Sequence, residues 1–165
     1  MIVAHSSPDT ARQQIVEIIG NCVYHALGLK ESLEDELRAL EEQDMDSLRS
    51  AIDNKSNCVE SLRKLEDQRR VLCETAGFES GPEQMEQMTT WCDDDSVLAN
   101  CWQHLLDIAV ECNALNLTNG SIIRSRKQQI ETSLAVIRGG APEAGIYGRS
   151  GHGANGPSQR SLAEA

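Results

Sequence analysis

Residues 98–137 read LANCWQHLLDIAVECNALNLTNGSIIRSRKQQIETSLAVI, and one seam runs through them at alternating spacings of three and four: Leu98, Trp102, Leu105, Ala109, Cys112, Asn116, Asn119, Ile123, Lys127, Ile130, Leu134 and Ile137. This rhythm holds one face of a helix for nearly six heptads. Helices with such a seam pack side by side at a shallow angle, because the spacing keeps the side chains of one aligned with the gaps of another. The pattern speaks of binding rather than catalysis. Catalytic groups usually converge from loops on a rigid scaffold, and one linker is the main interruption between Leu33 and Arg138.

Upstream, Ser7-Pro8 offers a helix cap followed by proline at the first helical position, and Ile15, Ile19, Cys22, Ala26, Leu29, Leu33, Leu37 and Leu40 keep one stripe from there. Gly20 and Gly28 interrupt it, each at about 1 kcal/mol relative to alanine, which predicts a separate first helix or a kink near Gly28 to Ser32, with Ser32 capping the restart. The stripe continues through Met45, Leu48, Ile52, Lys55, Val59, Leu62, Glu66, Arg69 and Leu72 and stops at Gly77, a residue suited to the left-handed position that ends helices. As one helix, Leu29 to Ala76 would run roughly 70 Å. Lys55, Glu66 and Arg69 leave this seam only half apolar, so either long stems snorkel there or a partner seals part of the length.

The linker is Phe78 to Asp95. Ser80-Gly81-Pro82-Glu83 fits a capping box ahead of a short helix with Met85, Met88 and Trp91 on one face, and Asp93, Asp94, Asp95 and Ser96 are candidate caps for the second long helix. A short connection between long helices makes them antiparallel neighbours. The expected fold is all-α: a long antiparallel helical hairpin, coiled-coil-like, with one or two short extra helices. It divides into a helical domain, 1–138, and a flexible tail, 139–165, which holds seven glycines, two prolines and Tyr147 and loses the apolar rhythm.

Composition supports this. With only five aromatics in 165 residues the chain has little from which to build a large globular core. No apolar run approaches the roughly 20 residues of a membrane span, and the first residues lack a basic region followed by an apolar block, which predicts no secretory signal and a cytoplasmic protein. Acidic against basic residues divide as 15 to 9 over positions 1–76, 8 to 0 over 77–113 and 3 to 6 over 114–165, so one end is anionic and a poor partner for nucleic acid. That acidic stretch reads either as a solvated tip or as a docking surface. Arg124, Arg126 and Lys127 resume positive charge, chiefly as a solvated face.

The six cysteines show no C-x-x-C spacing and lie mostly on or beside the seams, as reduced, buried thiols do. Cys22 with His25 and Cys101 with His104 put thiol and imidazole three apart, but no tight loop orders them as zinc ligands, and neither a metal nor another cofactor is expected. No phosphate loop, nucleophile elbow or converging pair of carboxylates marks an enzyme.

Leu115-Asn116-Leu117-Thr118-Asn119-Gly120-Ser121-Ile122-Ile123, then Leu134-Ala135-Val136-Ile137-Arg138-Gly139-Gly140, then Tyr147-Gly148-Arg149-Ser150-Gly151 together resemble the FlgN family of flagellar type III export chaperones. That family carries Asn-x-x-Asn-Gly, a helix closing on Leu-x-x-Leu-x-Gly, and a tail with Tyr-x-x-x-Gly. Leu33 to Leu40 with Glu34 and Glu36, Leu48 with Lys55, and Leu62-Arg63-Lys64-Leu65 through Arg69 to Gly77 are similar to its first half, so the likeness covers about residues 15–151; Ile137 stands where the family more often has Leu.

The resemblance implies a cytoplasmic chaperone that binds hook-associated, hook–filament junction proteins with its C-terminal helix and delivers them to the export gate, where the tail tyrosine, Tyr147, docks. The residues agree in part. Ile123, Ile130, Leu134 and Ile137 form an apolar stripe that a first helix broken by Gly20 and Gly28 would cover poorly, as suits a partner helix in a groove. Asn116 and Asn119 on the same seam read equally as a polar layer inside the hairpin and as an amide ladder for the client. The competing class is a structural coiled coil that self-associates, distinguished by being a dimer or higher without any client.

Overall fold

The computed structural model describes residues 7–79, 81, 83–93 and 95–139, and the described residues form four helices and no strand. Helix α1 is Pro8–Glu42, α2 Met45–Thr75, α3 Gln84–Cys92 and α4 Val97–Ile137. The chain divides into two compact units, Met1–Lys127 and Gln128–Ala165. The proposed tail beyond Gly139, Tyr147 included, lies outside the described residues, as do Ser80, Pro82 and Asp94 of the linker.

In the first unit, Ser7 caps α1 as the sequence suggests, its hydroxyl accepting from the Thr10 amide with Pro8 at the first position. The expected break at Gly28 to Ser32 does not occur. Here α1 is continuous, and the Ser32 hydroxyl donates to the Gly28 carbonyl at 2.8 Å instead of capping a restart. Gly28 earns no kink because it serves packing: a Cβ there would sit 3.3 Å from Cys58 Sγ of α2, so its absence lets the two helices close up.

The chain reverses at Gln43 and Asp44, inside what reads as one helix from Leu29 to Ala76. Gln43 takes a left-handed φ of 60°, and Asp44 Oδ1 accepts from the amides of Asp46 and Ser47 to open α2. Gly77 does end α2, at φ 98°. Lys55 on Glu36 and Cys58 against Gly28 make α1 and α2 antiparallel, so this pair is the hairpin, closed at Gln43–Asp44 rather than by the linker.

α3 follows with Glu83 at its cap position and no side-chain cap bond. It buries Met85, Met88 and Cys92; Trp91, expected on the same face, lies at its edge, 5.6 Å from Phe78 in an edge-to-face contact. The aspartates cap α4 as anticipated: Asp93 accepts from the amides of Leu98 and Ala99, and Asp95 from that of Val97. Arg12 of α1 pairs with both carboxylates.

α4 then runs parallel to α1 at a constant offset, Cys112 donating to the Ala26 carbonyl and Asn119 to that of Leu33. It is antiparallel to α2, with Asn116 at Lys55 and Trp102 under the Arg69 guanidinium. Because α4 faces two helices, its buried side is wider than one stripe. Leu98, Ile108, Cys112 and Asn119 are buried while Ala109, a seam position by spacing, is exposed.

Two cores result. Ala11, Ile15, Ile19, Cys73, Met85, Met88, Cys92 and Leu98 form one, and Ala26, Leu33, Ile108 and Cys112 the other. Each fully buried Ile, Leu or Met contributes about 1.5–3 kcal/mol.

The described part of the second unit is the last turns of α4 and a terminus. Gly139 adopts φ 78° and its amide donates to the Val136 carbonyl, ending the helix where the apolar rhythm ends in sequence.

Candidate interaction surface

Four polar side chains from three helices meet inside the first unit. Glu36 of α1 has its side chain only 4% exposed, and its carboxylate accepts from Lys55 Nζ of α2 at 3.0 and 3.2 Å and from Asn119 Nδ2 of α4 at 2.8 Å. Asn119 Nδ2 also donates to the Leu33 carbonyl at 2.9 Å, and Lys55 Nζ to Asn116 Oδ1 at 3.2 Å. A buried carboxylate is tolerable only with such compensation, and supplying it from three elements fixes how they register on one another.

Of the two asparagines on the seam, Asn119 is 1% exposed and belongs to this layer, while Asn116 is on the surface beside Lys55. Spacing revealed the asparagines but not their partners. A signal existed: Leu33, Glu36 and Leu40 keep the three-four rhythm as well as Leu33, Leu37 and Leu40 do.

Further along α2, Arg69 is buried. It holds Glu66 with two bonds of 2.7 Å, donates to Gln84 Oε1 at 3.1 Å and stacks 5.6 Å from the Trp102 ring. Lys55 and Arg69 therefore tie helices together and do not merely snorkel.

The thiols of Cys22, Cys73, Cys92 and Cys112 are buried and those of Cys58 and Cys101 half-buried, and none of the six is in a disulfide. Burial pushes the pKa of Cys22, Cys73 and Cys112 up, which keeps them protonated and unreactive. Among the described residues no group of three or more His, Cys, Asp or Glu is placed to hold a metal, and no helix is long and apolar enough to cross a membrane.

Ile123, in the first unit, is exposed. In the second, Ile130 is 60% and Ile137 78% exposed, Leu134 is exposed too, and their i, i+4, i+7 spacing puts them on one helical face. Gly20 and Gly28 lie inside an unbroken α1. α4 also carries apolar residues the seam did not include, with Leu106, Val110 and Leu117 exposed on another side. α4 runs through Gly120 without a break, and Arg124 Nη1 lies 3.3 Å from where a Cβ would stand.

The family described as FlgN protein matches residues 11–154, most of the chain. No curated protein and no solved structure matches it.

Proposed function

Because the chain belongs to the FlgN family, whose members are flagellar export chaperones that bind hook-associated proteins, we propose that it carries such proteins in the cytoplasm by gripping their terminal helices with Ile123, Ile130, Leu134 and Ile137, and hands them to the export gate. The observation that carries this reading is the exposure of those aliphatic side chains on a well-formed helix, where water alone would select polar residues. Asn116 sits at the client-facing surface as an adaptable polar contact. Asn119 acts from behind as a positioning residue, through Leu33 and Glu36.

Burying four aliphatic side chains is worth roughly 6–12 kcal/mol gross. Association and ordering subtract half or more, which leaves about 3–6 kcal/mol at most, a Kd between millimolar and tens of micromolar. Ile130→Asp with Leu134→Asp is expected to abolish binding of a hook-associated protein's terminal segment in calorimetry while helix content is kept. Unchanged affinity would place the client elsewhere, and an unfolded variant would make the stripe core.

Tyr147 is assigned to gate docking. An amphipathic ring offers a large contact area with few rotatable bonds, which suits an anchor on another protein. Tyr147→Ala should leave client affinity within about twofold, as the residue is outside the grip, and lower secretion of the client. Normal secretion would remove it from the pathway.

A further inference from the structure

The hairpin turns one side to α3 and α4, and the other side of the same pair forms an open groove. Between Gln14–Asn21 of α1 and Asp67–Thr75 of α2 it encloses about 620 Å³. Its floor is Ile18 and Leu72, both half-buried, with Val71 56% exposed beside them. The charged side chains that line it are both carboxylates, Glu17 and Asp67. Along the same two helices a second concavity adds exposed Tyr24 and Leu27 with Glu31 and Asp35.

We propose that this groove receives an amphipathic helix of another protein, apolar where it meets Ile18, Val71 and Leu72 and bearing Lys or Arg on its flanks. Two antiparallel helices packed on one side and bare on the other offer the seat of a further bundle helix, and the apolar floor runs along the helix axes as such an occupant requires. The rim charge selects a cationic partner and steers its approach. Asp67 is paired with Arg70 of its own helix at 3.6 Å, an exposed contact of little energy that a partner's cation can replace.

A second copy is disfavoured, because groove against groove would face carboxylates with carboxylates. From Gln14 to Asp35 the seat runs about 30 Å at 1.5 Å per residue, so the occupant is a helix of about three heptads. This surface is on α1 and α2, and the inference does not depend on the client reading for α4.

The probe is a synthetic 24-residue helix with leucine at the seam positions and lysine on both flanks, set against the same peptide with glutamate flanks, both titrated into the full chain by calorimetry. The lysine peptide should bind and the glutamate peptide should not. Glu17→Lys with Asp67→Lys, and separately Val71→Asp, should each weaken binding at least tenfold, with helix content unchanged because all three residues are exposed. Asp107→Lys with Glu111→Lys on α4, and Ile130→Asp with Leu134→Asp, should leave it within twofold. Hydrogen exchange on the wild-type chain should show the peptide protecting 14–21 and 67–75. Equal loss in the Asp107/Glu111 variant would make the binding a matter of net charge and overturn the proposal. Loss in the Ile130/Leu134 variant would move the probe to the client face, and a dimer that Val71→Asp dissociates would make a second copy the occupant; either result also overturns it.

Discussion

Replacing Lys55 by Met tests whether the Glu36 layer holds the three long helices in register. The substitution keeps the aliphatic stem and removes the cation that faces both oxygens of Glu36 at 3.0 and 3.2 Å, leaving a carboxylate 4% exposed with Asn119 as its remaining side-chain donor. Breaking a buried pair from one side costs about 3–5 kcal/mol. Lys55 is 28% exposed, so water reaches its end of the pair and the expected loss falls to roughly 2–3 kcal/mol. Adding Glu36→Gln removes the stranded charge and keeps an amide oxygen for Asn119 Nδ2, which should restore the double variant to within about 1 kcal/mol of the wild type and give a coupling above about 1 kcal/mol. Urea unfolding followed by far-ultraviolet circular dichroism reads all four proteins, with the slope m checked for constancy. A single variant within about 0.5 kcal/mol of wild type, or a double variant as unstable as the single, would refute the claim that the layer is an interacting unit.

Gly20 has open space where its Cβ would stand and an ordinary helical backbone, so Gly20→Ala should stabilise by about 0.5–1 kcal/mol in the same unfolding assay. Gly28→Val meets Cys58 Sγ and should destabilise by about 1–3 kcal/mol. Hydrogen bonds from Ser47 to Asp44 and from Arg12 to Asp95 hold both carboxyls below their usual range; since the folded state favours the charged form, their stabilisation is present above about pH 4 and lost as pH falls through the depressed values. Asp44→Asn with Asp95→Asn should therefore flatten the acid limb of stability, measured as unfolding midpoints from pH 5 to pH 2. Iodoacetamide at pH 8 should alkylate Cys58 and Cys101 first in the native protein, and Cys22, Cys73 and Cys112 only after denaturant is added, as read by mass spectrometry.

Helical content, the Ser7, Asp93 and Asp95 caps and the stop at Gly77 were legible because each is local: a side chain satisfies amides within a few residues, or a glycine adopts a left-handed turn. The reversal at Gln43–Asp44 was not. The two stripes read as one, although the step from Leu40 to Met45 is five residues and breaks the rhythm, and Asp44 with Ser47 is a cap signature. Gly28 misled in the opposite direction, because propensity scores a glycine by its cost to its own helix, whereas this one is explained by a neighbour 30 positions on, Cys58. The layer of Glu36, Lys55 and Asn119 depends on contacts between three helices, which periodicity along one helix does not contain.

The order in which the helices meet has a temporal consequence. α1 and α2 are joined by a two-residue reversal, so their pairing closes a short loop, whereas the Leu33–Asn119 and Ala26–Cys112 contacts join residues 86 positions apart. Loop closure grows costlier with length, and nearby contacts form sooner than distant ones. The hairpin is therefore expected to assemble first and α4 to dock late. In stopped-flow chevrons, Gly20→Ala should act mainly on the folding arm and Ile108→Val mainly on the unfolding arm. The opposite partition would mean that α4 docks before the folding barrier is crossed. If the order holds, transient openings of the native protein release α4 before they part α1 from α2, so the helix with the most exposed aliphatic residues is also the first to come free.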